Sequence, residues 1–262
     1  MAIHDHFDLV IFDWAGTTVD FGCHAPVIAL REAFGRRGVA LSDAQVRRDM
    51  GRPKADHVRA LLHDPDVAAA WRGAQGAAPT EADVAALMTD LGPLMREQAA
   101  RAAQLIEGAR ATFDALRAAG VRVASSTGYT RDMMQSVLSK AAEQGYAPEQ
   151  VVCSGETPAG RPTPLMIYKT CAELGVWPLS RVVKVDDTEA GVAEGRAAGC
   201  FTVGVAASGN AIGLSQEDFL ALPAVEREAR LAAAEKSLVA AGADVVIDTV
   251  ASLIPALERA RR

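Results

Sequence analysis

A carboxylate ends the short apolar run Asp8-Leu9-Val10-Ile11-Phe12-Asp13, and a turn of small residues follows it, Trp14-Ala15-Gly16-Thr17-Thr18. A carboxylate at the carboxyl end of a buried strand projects into the crevice where open α/β sheets bind ligands. The glycine-containing turn lets backbone amides approach a phosphoryl group, so Asp13 is a candidate active-site carboxylate beside such a group, with a turn cap as the alternative. The second chemical group is Lys54, in Met50-Gly51-Arg52-Pro53-Lys54-Ala55-Asp56-His57. Pro53 opens a helix and leaves Lys54 in its first turn, where the positive end of the helix dipole opposes an ammonium. Desolvation acts in the same direction, and a neutral amine is what addition to an aldehyde requires. Taken alone, such a lysine is more simply a solvated surface cation. Of 27 basic side chains only five are lysines, so a lysine inside a motif carries some weight. Further polar groups stand after later apolar runs: Thr127-Gly128, Gly160-Arg161-Pro162-Thr163-Pro164 and Asp186-Asp187-Thr188.

The elements that position these groups follow from periodicity. Apolar runs at Val121–Ser125, Val151–Cys153, Val182–Val185, Cys200–Val205 and Val245–Ile247 repeat the pattern of the first and read as buried parallel strands. Helical patterns lie between them. Ala109–Ala119 turns Phe113 and Leu116 inward and stops at Gly120, and Pro164 opens a helix through Leu165, Ile167 and Leu174. Strand–helix alternation of this kind means an α/β fold, a doubly wound parallel sheet with helices on both faces. Residues 22–103 break the alternation. Val27, Leu30 and Phe34 share a helical face that ends by Gly38, Ser42 and Gln45 form a capping box, Val58, Leu61 and Leu62 follow Pro53, and Asp83 to Leu94 supplies another helix. The expectation is an all-helical cap at 22–103 inserted into a Rossmann-like core made of 1–21 and 104–262.

The segment from Asp13 to Thr18 resembles the first motif of the haloacid-dehalogenase-like superfamily, whose leading aspartate attacks phosphorus. The other three motifs stand in order: Thr127-Gly128 where a hydroxyl and an amide hold phosphoryl oxygens, Arg161 where the superfamily has a cation, and Asp186-Asp187 where carboxylates hold magnesium. One departure is informative. Phosphatases and mutases of the superfamily have Asp-x-Asp, the second aspartate being the general acid for an oxygen leaving group, and this sequence has Ala15 there. A methyl group protonates nothing, so either the protein is catalytically retired or its leaving group is handled differently.

Together with Gly22-Cys23, Met50-Gly51, Lys54, Asp56-His57-Val58-Arg59, Thr127-Gly128-Tyr129-Thr130-Arg131, Gly160-Arg161-Pro162 and the segment from Lys184 to Thr188, the sequence is similar to the phosphonatases. That resemblance implies cleavage of the carbon–phosphorus bond of phosphonoacetaldehyde, with Lys54 forming an imine and Asp13 taking the phosphoryl group. It implies that Met50, Cys23, His57 and Tyr129 surround the amine or the attacking water. It also implies Mg2+ held by Asp13, the Ala15 carbonyl and Asp187 with Asp186 as a helper, and a homodimer joined through cap helices. Many relatives carry a further aspartate on the helix after the fourth motif, where this sequence reads Glu189-Ala190-Gly191. A phosphomonoesterase or mutase of the same fold is the first rival reading, and a retired binding protein the second.

Composition narrows the partners. The net charge of −6 argues against a nucleic-acid partner held through phosphates. No run is long and apolar enough for a membrane span, and Met1-Ala2-Ile3-His4-Asp5-His6 lacks the basic start and apolar run of a signal peptide, so the expected location is cytoplasmic. Cys23, Cys153, Cys171 and Cys200 show neither C-x-x-C nor zinc spacing and are expected as free thiols.

Overall fold

The apolar runs pair as six parallel strands: β1 Leu9–Phe12, β2 Arg122–Thr127, β3 Gln150–Cys153, β4 Val182–Asp186, β5 Phe201–Val205 and β6 Val245–Ile247, in the spatial order β3-β2-β1-β4-β5-β6. The computed structural model describes residues 3–260. Residues 1–2 and 261–262, which include the outer ends of the expected core segments and the first residues of the N-terminal stretch, lie outside the described residues.

Alternate side chains of a strand point to opposite faces, and β1 shows why the sheet needs helices on both. Val10 and Phe12 join a cluster with Phe113 and Leu116 of α6 (Ala109–Ala118), while Leu9 and Ile11 join one with Ile167 and Cys171 of α8 (Leu165–Leu174). With both faces covered, β1 is buried at every residue and must be apolar throughout. Helices α7 (Arg131–Glu143) and α9 (Glu189–Ala198) follow β2 and β4, and α10 (Gln216–Ala221), α11 (Ala224–Ala241) and α12 (Leu253–Ala260) complete the layers. Strand order reverses between β1 and β4, so their carboxyl ends diverge into the crevice that binds ligands in folds of this kind.

Between β1 and α6 the chain forms five helices and no strand among the described residues: α1 His24–Gly35, α2 Asp43–Arg48, α3 Lys54–His63, α4 Pro65–Gln75 and α5 Glu81–Arg101. The two connections to the sheet run side by side, with Val19 bridged to Leu105 and the Ile106 amide donating to the Thr18 carbonyl at 2.8 Å. Asp20 accepts from the amides of His24 (3.0 Å) and Ala25 (2.9 Å) and so satisfies the start of α1. The Ser42–Gln45 capping box is present. α5 runs seven residues past the expected stop at Leu94 and carries Pro93 in its interior. Packing on α1 and α7 through the buried Leu91, Leu94 and Met95 holds it together where proline removes a hydrogen bond. α4 had no expectation of its own, although Asp64 before Pro65 is a cap followed by a first-turn proline, and the Asp64 side chain accepts from the amides of Asp66 and Val67.

Candidate active site

Asp13 leaves the end of β1, Thr127 ends β2 with Gly128 and Tyr129 behind it, and Asp186 and Asp187 leave the end of β4. Arg161 comes from the loop before α8. From the helical segment, Cys23 precedes α1 and Met50 stands before the first turn of α3, which carries Lys54. Asp13, Ala15, Cys23, Met50, Lys54, Thr127, Gly128, Tyr129 and Arg161 line one small cavity. The structure therefore brings together nine of the residues singled out in the sequence, drawn from both segments. His57 is not part of that lining. It is buried on α3, its Nε2 lies 2.8 Å from the Val46 carbonyl, and burial pushes its pKa down to about 3. Asp187 lines a neighbouring cleft of about 670 Å3 that shares Met50 and Thr188 with the cavity.

The cavity is small because the helical segment sits directly on the strand ends, and glycines permit the approach. A Cβ at Gly51, whose φ is +86°, would lie 2.2 Å from Thr188 Oγ1. A Cβ at Gly128 would lie 2.8 Å from the Arg52 carbonyl oxygen. Gly51 and Thr188 also line the cavity and had no assigned role in the sequence reading. Their signal is the need for backbone contact across two segments, which no local pattern carries.

The charges on the core side form a connected group. Arg161 is buried, with Nη2 at 2.8 Å from Asp13 Oδ1, Nη1 at 3.2 Å from Asp186 Oδ2 and Nε at 3.0 Å from Glu194 Oε2. Arg161 Nη2 also donates to the Ser126 carbonyl at 2.6 Å. Lys184, fully buried, lies 3.0 Å from Asp186 and 2.9 Å from Ser126 Oγ. Lys184, Glu194 and Ser126 were not expected as site residues. A lysine inside Val182-Val183-Lys184-Val185 was the available signal, because a buried ammonium requires a partner.

Oxygens of Asp13, Asp186 and Asp187 all lie within 4.8 Å of one another. Burial lifts the Asp13 pKa to about 6 against the pull of Arg161. Burial, then Asp13 and Asp186, raises Asp187 well above the ordinary range. For Asp186 burial acts upward too, but Arg161 and Lys184 outweigh it and the pKa falls. Burial is the main cause of both upward shifts, and a cation bound among these carboxyls would offset it. Hard oxygen donors at this spacing can hold a metal ion. Asp187 accepts one donor on each oxygen, Thr17 Oγ1 at 3.0 Å and the Asn210 amide at 2.8 Å, and retains lone pairs for a cation.

On the other wall of the cavity Lys54 is 2 % exposed, and its Nζ stands 5.1 Å from the Tyr129 ring centroid. Burial lowers its pKa to about 8, with Cys23 and Asp13 acting in the opposite direction. Cys23 is buried at a left-handed φ of 53°, a conformation costly for a residue with a side chain, and burial raises its thiol pKa well above the usual value. The Tyr129 hydroxyl is buried without a hydrogen-bond partner. The arrangement is a carboxylate held by an arginine, facing a partly deprotonated amine across a space from which water is largely excluded.

Comparison with known proteins gives three concordant results. The family model for haloacid dehalogenase-like hydrolases matches residues 7–199. A phosphonoacetaldehyde hydrolase of Paraburkholderia phytofirmans is 46% identical over 250 residues, covering 95% of this chain and 94% of that protein. One of Bacillus cereus is 40% identical over 251 residues, covering 96% and 95%. Among solved structures, a phosphonoacetaldehyde hydrolase-like protein of Oleispira antarctica superposes with a TM-score of 0.96 at 40% identity, over 98% of this chain and 93% of that one. Among the described residues no helix is long and apolar enough to cross a membrane.

Proposed function

Because the chain belongs to the phosphonoacetaldehyde hydrolase family of the haloacid dehalogenase-like hydrolases, we propose that it cleaves phosphonoacetaldehyde to acetaldehyde and phosphate through an imine on Lys54 and a phosphoryl-aspartate on Asp13. The observation that carries this reading is an amine depressed to about 8, in the cavity that also holds Asp13, with a methyl group at Ala15. A pKa of about 8 leaves roughly a tenth of the Lys54 amine neutral at pH 7. The neutral amine adds to the aldehyde carbon and water leaves, giving an iminium ion next to the carbon that bears phosphorus. Asp13 Oδ1 is engaged by Arg161, and its other oxygen attacks phosphorus. The electron pair of the carbon–phosphorus bond moves to carbon and neutralises the iminium as an enamine. Protonation and hydrolysis then free acetaldehyde and Lys54, and water releases phosphate from Asp13. No acid is needed at position 15, because the leaving group is a neutral enamine and not an alkoxide.

In this scheme the metal is Mg2+; Asp13, the Ala15 carbonyl and Asp187 would hold it, and it would offset the charge of phosphonate and carboxylate as they meet. Thr127, Gly128 and Arg161 take phosphoryl oxygens in this scheme, and Met50, Cys23 and Tyr129 shape the surroundings of the amine. His57 acts at most through the position of α3. The division into a core (1–21 and 104–262) and a cap (22–103) belongs to the proposal, as does a cytoplasmic setting, supported by four buried unpaired cysteines. So does a homodimer through the cap, to be checked by light scattering.

Incubation with phosphonoacetaldehyde and Mg2+ should release acetaldehyde and phosphate in equal amounts. Borohydride should inactivate the enzyme only when an aldehyde is present and should mark Lys54. An adduct on another lysine, or phosphate without acetaldehyde, overturns the reading.

A further inference from the structure

Gly191 lies in the first turn of α9, and its φ is not in the left-handed region, so the backbone does not ask for glycine there. Space does. A Cβ at that position would stand 1.9 Å from Asp186 Oδ2, 2.0 Å from its Cγ and 2.3 Å from Oδ1. The Asp186 carboxylate, carried on the end of β4, fills the volume that a side chain on the helix would occupy. Thr188 ties the two together: its hydroxyl donates to Asp186 Oδ1 at 2.7 Å and accepts the Gly191 amide at 3.1 Å.

The surroundings of Asp186 decide what it does. Oδ1 takes the Thr188 amide (3.0 Å) and hydroxyl, while Oδ2 faces Lys184 Nζ (3.0 Å) and Arg161 Nη1 (3.2 Å). Oδ1 already carries two hydrogen bonds, and Oδ2, which no hydrogen bond reaches, is flanked by two cations that balance its charge and repel a third. Asp187, with one donor on each oxygen, keeps room. Arg161, gripped by Asp186 and Glu194, in turn holds Asp13.

We propose that Asp186 and Gly191 are a matched pair, in which a carboxylate from the strand occupies the side-chain space of the helix and serves as the positioning residue that holds Arg161 against Asp13, without binding the metal. The inference leans on the function proposed above only for the substrate used in the assay. Its test compares Asp186→Asn, Gly191→Ala, Asp186→Gly and the double variant Asp186→Gly/Gly191→Asp in three readouts: kcat and KM for phosphonoacetaldehyde, Mg2+ affinity by calorimetry, and binding of beryllofluoride, a phosphoryl mimic that adds to a correctly held aspartate. Asp186→Asn keeps shape and loses charge, and Gly191→Ala pushes the carboxylate aside. Each should lower kcat by at least about tenfold with KM and Mg2+ affinity changed by less than about threefold. Beryllofluoride affinity should fall alongside kcat. The double variant, which returns a carboxylate to the same space from the helix, should regain at least about tenfold over Asp186→Gly.

Wild-type kcat in Asp186→Asn would overturn the proposal, as would loss of Mg2+ affinity in that variant, which would make Asp186 a ligand. A folded double variant no better than Asp186→Gly would overturn it too. Should Asp186→Gly not fold, the asparagine and alanine variants decide. A wild type inactive on phosphonoacetaldehyde would sink the substrate assignment, while the beryllofluoride and Mg2+ measurements would still decide the role of Asp186.

Discussion

Replacing Lys54 by methionine should abolish turnover and stabilise the fold, and the size of the second effect follows from burial. The ordinary lysine pKa of 10.5 falls to about 8 at this position, which at about 1.4 kcal/mol per pH unit means that the native state carries roughly 3 kcal/mol of unfavourable energy when the amine is charged. Methionine keeps the unbranched stem that packs in the cavity and removes the charge. It also gives up the contact with the Tyr129 ring, about 2 kcal/mol for a desolvated pair, leaving a net gain of about 1 kcal/mol. In a chain of 262 residues that is an increase in Tm of about 2–4 °C near pH 7. The pH dependence distinguishes this from ordinary repacking. Below about pH 8 the amine is protonated in both folded and unfolded states, and the full penalty applies. Between about 8 and 10.5 the unfolded chain still binds the proton and the native one has released it, so wild-type stability rises with pH relative to the variant. Thermal unfolding of both proteins at several pH values from 6.5 to 10 should show a gap that is largest at neutral pH and closes on the alkaline side. A variant no more stable than wild type at pH 7, or a gap that widens above pH 8, refutes the reasoning.

In the proposed mechanism the same group sets the rate: kcat/KM of the wild type should climb close to tenfold per pH unit up to about 8 and then level, and a flat profile from 6.5 to 9 would remove the neutral amine from the mechanism. Lys54→Arg should lose several orders of magnitude in carbon–phosphorus cleavage, since guanidinium stays protonated, while Mg2+ binding measured by calorimetry should be unchanged. Asp187→Asn should weaken Mg2+ by at least about tenfold, and excess chelator should abolish wild-type activity; full turnover in chelator would contradict the metal assignment. Ala15→Asp should not speed phosphonoacetaldehyde cleavage and should slow it, read in the same coupled assay of acetaldehyde and phosphate; a faster variant would show that position 15 wants an acid.

Much of the architecture was legible in the sequence because it is written in short-range pattern. A strand buried on both faces must be a continuous apolar run, and all six runs became strands within two residues of their expected ends. Capping residues marked helix starts equally well at Ser42. The end of α5 was not legible, since a proline normally closes a helix and only packing against α1 and α7 carries this one past Pro93. The acid missing at Ala15, the amine at Lys54 and the carboxylates after β4 were visible as residue types in motifs. Tertiary structure decided how they divide the work. Asp186 and Asp187 are neighbours of identical chemistry, and only their surroundings separate them: Arg161 and Lys184 flank Asp186, while Asp187 meets a hydroxyl and an amide. Lys184, Ser126 and Glu194 reach Arg161 and Asp186 from three different elements. Gly51 and Gly128 matter because two segments meet at their Cα atoms. Local pattern reflects the backbone's own hydrogen bonding and burial, so sequence reports it directly. The charge state of a buried lysine depends on which groups from distant parts of the chain displace its water, and that is settled only when the segment carrying Lys54 lies on the strand ends.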